Sequence, residues 1–202
     1  MTLLALRSLL HLPDLLNIDE PESNFAVGVA LVAWDCREKT KPCNENDATL
    51  NRLNGMSPAY FALVLYLASI DENFLRLAKR MAARSLARDI NRPLSFAQRH
   101  LFAHLMTADK PPGQKTTLAR NVALIVTIAQ TRKFGWLATE SGGHSKTGKP
   151  STCRRIVEAL LADHGVATVT YGSIEDVWKP SRRESILHSA GFSVEHVSEL
   201  LA

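Results

Sequence analysis

The chain has 202 residues, 46% of them hydrophobic and 22% charged, which excludes wholesale disorder and suffices to bury a core in one domain or two small ones. Three scattered cysteines exclude a disulfide framework, and no apolar run approaches the roughly 20 residues that span a bilayer. The net charge of +4 and the shortage of tyrosine and tryptophan, three of each, allow an anionic partner but offer few platforms for base stacking.

That net charge hides a segregation along the chain. Residues 1–72 carry five cations against ten acids, residues 73–155 carry sixteen against three, and residues 156–202 carry three against seven. The middle segment is therefore +13 between flanks of −5 and −4. Such asymmetry speaks about partners, not about fold. It calls either for an anionic partner or for packing of the acidic flanks against the middle.

Helix signals recur along the chain and strand signals are poor. Met1–Leu12 is leucine-rich but interrupted by Arg7 and His11, so it reads as a core helix that Pro13 stops, not as a signal peptide. Asn24 or Ser23 is suited to cap a helix over Phe25–Cys36, although Gly28 and its valines leave a buried strand open. Arg37–Asp47 reads as a polar loop, and Leu50 and Leu53 as one short turn. Ser57-Pro58 opens a core helix through Ser69, a capping hydroxyl followed by proline at the first position. Asp71-Glu72 then starts what reads as the longest helix, to about Asp89, with acids where the helix dipole favours them.

On that helix Arg76, Arg80, Arg84 and Arg88 recur at every fourth residue with Lys79 beside them. Residues four apart are neighbours, so these cations form a ridge. It is either a face solvated or paired with the acidic flanks, or a surface for nucleic-acid phosphates. Ser95–Gln98 reads as a capping box opening a helix to about Thr107. Residues 109–115 (Asp-Lys-Pro-Pro-Gly-Gln-Lys) are the best linker. A division into 1–110 and 116–202 follows from it, with a single domain as the alternative.

Thr116 or Thr117 caps the next predicted helix, Ala119–Arg132, which Gly135 ends. Residues 142–155 then form a glycine-rich, cationic loop running into a helix that starts at Ser151 and stops at Gly165. Lys146, Lys149, Arg154 and Arg155 crowd that helix start, where acids are the expected occupants. Beyond it, Val166–Tyr171 reads as a short strand or extended connector. Ser173 caps a brief helix to Trp178, Ser181–Glu184 is a capping box, and Ser193–Leu201 is the last helix.

Four chemistries can be weighed on these elements. Gly143–Lys149 fits seven positions of the phosphate-loop template, but Pro150 replaces the metal-binding hydroxyl and removes an amide donor. A simpler anion site survives, built of helix amides with Lys146, Lys149, Arg154 and Arg155. Cys153, among cations in a first helical turn, is expected to have a lowered thiol pKa, with His144 or His164 as a possible base, although no catalytic signature accompanies it. His100 and His104 have a shared-metal spacing without the glutamate of a zinc-protease helix. A helix-turn-helix over Thr152–Lys179 has too long a turn, and Glu175 and Asp176 are wrong for approaching phosphates.

The expected fold is all-α, a bundle of about seven or eight helices with at most one short strand or extended segment near 166–171. The expected function is that of a non-enzymatic accessory or regulatory protein contacting a DNA or RNA backbone through Arg76, Arg80, Arg84, Arg88, Lys146, Lys149, Arg154 and Arg155. No catalytic residue, metal or cofactor is expected, no membrane partner is expected, and the cytoplasm is the default location. The alternatives are a helical adaptor or self-associating protein that meets an acidic protein surface, and a small enzyme with an anion pocket at 142–155.

Overall fold

Long stretches of alanine, leucine and valine unbroken by proline favour helix wherever packing can cover them. The computed structural model describes residues 21–40, 48–53, 58–88, 96–107, 117–140 and 150–202. Among these residues there are ten α-helices and no strand, so the fold is all-α with somewhat more helices than expected. They are α1 (Pro21–Thr40), α2 (Ala48–Leu53), α3 (Pro58–Ala68), α4 (Glu72–Arg88), α5 (Phe96–Thr107), α6 (Leu118–Lys133), α7 (Thr152–His164), α8 (Tyr171–Trp178), α9 (Pro180–Ser189) and α10 (Val194–Leu201).

Two helices that are buried on nearly all sides organise the packing. The α1 helix contacts α2, α4, α6 and α7, and α6 contacts α1 and α7 to α10. Their crossing explains Gly28, since a Cβ there would lie 2.0 Å from Thr127 Oγ1. Glycine lets the two backbones approach, and the Thr127 hydroxyl donates to the Ala123 carbonyl at 2.7 Å. That close approach also decides against the buried strand that the valines of 25–36 left open. The same helix runs from Pro21 through Thr40, past both its expected cap at Ser23 or Asn24 and its expected end, and is longer than α4.

Long-range polar contacts tie further helices together. Tyr60 Oη donates to the Asn24 carbonyl at 2.8 Å, and Tyr66 Oη to the Ala190 carbonyl, with the Tyr66 and Phe192 rings 5.0 Å apart. Thr49 Oγ1 and His164 Nδ1 lie 2.9 Å apart between α2 and α7, which makes the buried His164 a packing residue.

Several helix ends follow the predicted chemistry. Asp71 accepts the Asn73 and Phe74 amides ahead of α4, Ser151 accepts the Arg154 amide and Ser193 the His196 amide. Gly165 and Gly191 adopt positive φ of 64° and 88° after α7 and α9. Other ends differ. The cap of α8 is Thr170, not Ser173, because Ser173 sits at the third helical position and completes a reciprocal capping box. The α9 helix starts on Pro180 with no side-chain cap, so the Ser181–Glu184 box does not form. Residues 165–170 form no strand; they connect α7 to α8, with Val166 and Val169 buried. The Met1–Leu12 helix, Ser57, Ser95, the 109–115 linker and the 142–149 loop lie outside the described residues.

Candidate functional site

The α1 and α4 helices meet along a buried polar seam. Burying a carboxylate is costly unless it is paired and hydrogen-bonded. Asp35, fully buried, accepts from Lys39 Nζ at 2.6 Å and from Asn73 Nδ2 at 3.0 Å. The Glu38 side chain is also fully buried, and each of its oxygens meets a guanidinium: Arg76 on Oε2 and Arg80 on Oε1, both at 3.3 Å. Arg76 also donates to Asn73 Oδ1 at 3.1 Å and lies 3.8 Å from Glu72. Arg80 lies 5.1 Å from the Trp34 ring, whose Nε1 donates to the Asn73 carbonyl at 2.9 Å. Burial raises the Asp71 carboxyl pKa, and the charge of Asp35 adds to the rise.

At least half of the arginine ridge predicted on α4 is therefore paired within the molecule. Arg76 and Arg80 serve Glu38 of the acidic amino-terminal flank. Arg84 is half-buried on the same helix, and the side chain of Arg88 lies outside the described residues.

The helix start near residue 151 is engaged as well. The Thr152 amide donates to the Leu137 carbonyl at 2.8 Å, the Cys153 amide to the Ala138 carbonyl at 3.1 Å, and the Arg154 amide to Ser151 Oγ at 3.4 Å. The first-turn amides counted toward an anion site thus already have partners. Arg154 forks onto Glu140, with Nε 2.8 Å from Oε1 and Nη2 2.9 Å from Oε2. Arg155 pairs with Glu22 at 3.4 Å and covers the Trp136 ring at 3.7 Å. Lys146 and Lys149 lie outside the described residues.

Cys153 departs from expectation. Its side chain is fully buried, and burial pushes the thiol up to about 12 instead of down. The neighbouring arginines that suggested a lowered value point their charge at Glu140 and Glu22. His144 and the side chain of His100 lie outside the described residues, and His104 is half-buried on α5. No group of three histidine, cysteine or acidic side chains suited to a metal occurs among the described residues. No described helix is long and apolar enough to cross a membrane.

A second basic locus was not predicted. Trp178, at the end of α8, is buried where α8 packs between α6 and α9. The Arg183 guanidinium lies 4.6 Å from its ring centroid and that of Arg132 lies 5.8 Å away, both within cation–π range. Lys133 follows Arg132 and is exposed. None of these three cations has a carboxylate within 4.0 Å among the described residues, in contrast to Arg182 and Lys179, which share Asp176. The locus joins the last turn of α6 to the first turn of α9, and no sequence pattern connects two such distant segments.

The molecule is thus an all-α protein with one carboxylate-neutralised basic seam and one basic locus that makes no ion pair among the described residues. No protein family, curated protein or solved structure matches the chain.

Proposed function

We propose that the protein is a non-enzymatic helical binding protein that holds a nucleic-acid backbone by charge. The observation that carries this reading is the uneven neutralisation of the +13 segment. Arg76, Arg80, Arg154 and Arg155 spend their charge on Glu38, Glu72, Glu140 and Glu22, while Arg132 and Lys133 stand exposed with no such partner among the described residues. Burial of Cys153 and its raised thiol pKa further favour a binding role over nucleophilic chemistry.

Contacts of this kind supply affinity and position but little sequence information, so binding should be tight at low salt and nearly indifferent to sequence. A shift assay at about 50 mM salt against duplex and single-stranded probes tests it, since backbone binding weakens steeply as salt rises. Binding whose logarithm falls linearly with the logarithm of salt supports the reading. No shift with either probe defeats it in favour of an adaptor that meets an acidic protein surface.

A further inference from the structure

Two cations held on one aromatic ring are drawn to the ring but repel each other, and a bound anion would relieve that repulsion. Arg132 and Arg183 approach the same Trp178 ring from α6 and α9, at 5.8 and 4.6 Å. Arg183 Nε is buried and has no hydrogen-bond partner. Its guanidinium is held below its ordinary pKa, chiefly by burial and then by the charge of Arg132, while Glu184 offsets part of this. The adjacent cations differ in kind, since Arg182 and Lys179 both reach Asp176, 3.1 Å from the lysine. Asp176 is therefore engaged elsewhere.

We propose that Arg132 and Arg183, seated on Trp178, form a site for one phosphate group. On the reading of the preceding subsection, on which this step rests, that group is a phosphodiester of a bound strand. Guanidinium suits the role better than ammonium because its planar fork donates two parallel hydrogen bonds to phosphate oxygens and stacks on an aromatic face. One phosphate between the two forks would supply the missing acceptor and screen their mutual repulsion. The buried Trp178 ring gives the half-buried Arg183 a floor, so less of its side-chain freedom remains to be lost on binding.

The test is the salt dependence of binding to a single-stranded oligothymidylate. Loss of this one phosphate contact in Arg132→Gln/Arg183→Gln should make the slope of log affinity against log salt shallower by about 0.7 and weaken binding. Arg182→Gln, which removes a charge from the same turn but one already paired with Asp176, should leave the slope unchanged. Circular dichroism melts check that the variants fold. Should the double variant unfold, the exposed Arg132→Gln alone still makes the slope shallower, by up to about 0.7. An unchanged slope in the Arg132 and Arg183 variants, or an equal loss in Arg182→Gln, overturns the site while leaving the proposed function standing. Absence of binding by the unmodified protein overturns the proposed function itself.

Discussion

Two arginine pairs in this molecule, Arg76 with Arg80 and Arg132 with Arg183, meet opposite fates. The first pair grips a single buried carboxylate, Glu38, and one of its members lies against Trp34. The second pair also lies against a tryptophan, but no carboxylate completes it among the described residues. Residue type and aromatic neighbour are shared, so the acid alone separates them. A guanidinium with a buried carboxylate is a structural part, whereas one held without it remains chemically available. The comparison teaches that cation density in sequence counts charges without saying which are already used.

The largest expected effect comes from the neutralised pair. Arg76→Ala/Arg80→Ala strips Glu38 of both guanidiniums and should lower unfolding free energy by about 3 kcal/mol in urea titration. Each single variant should cost much less than half of that, because the remaining arginine still faces the carboxylate. Additive single effects totalling under about 1 kcal/mol would reduce the seam to an ordinary surface ion pair and erase the contrast.

A smaller effect is expected at Asp71, the acid beside this seam. It accepts two α4 amides, so Asp71→Ala should cost about 1 kcal/mol, while Asp71→Asn keeps a good cap and sheds a disfavoured charge. Because its folded pKa is raised, the folded state binds more protons than the unfolded state between the ordinary carboxylate value of 3.8 and the raised one. Stability from this group therefore falls as pH rises through that window and is recovered on acidification. Urea titrations across the acid range should show that component in the unmodified protein and not in Asp71→Asn. A stability loss at neutral pH in Asp71→Asn would show that its carboxylate is needed by the seam.

The smallest effect on stability is expected at the other pair. In Arg183→Gln the lost contact with Trp178 and the relief of repulsion from Arg132 oppose each other, keeping the change within about 0.5 kcal/mol. A loss comparable to that of the Arg76/Arg80 double variant would make Arg183 a structural residue like them, and the distinction between the pairs would fall.

The sequence by itself determined the helical class, because its apolar runs lack strand alternation and its turns carry recognisable helix ends. Asp71, Ser151, Gly165 and Ser193 work as local chemistry dictates. It also determined that charge is concentrated between residues 73 and 155. Both are local properties, readable from spacing and composition. The partners of those charges were decided only by the tertiary structure. Glu38 meets Arg76 and Arg80, and Glu22 meets Arg155, through helix packing that no short-range pattern encodes. The same holds for Cys153, where a cationic neighbourhood in sequence suggested a lowered thiol pKa and burial raised it. Arg132 and Arg183 come together because α6, α8 and α9 pack against one another and set Trp178 beside both. Ion pairing acts over a few ångströms, and packing sets which groups lie within that distance, so a pattern in sequence can gather charge without deciding what that charge will hold.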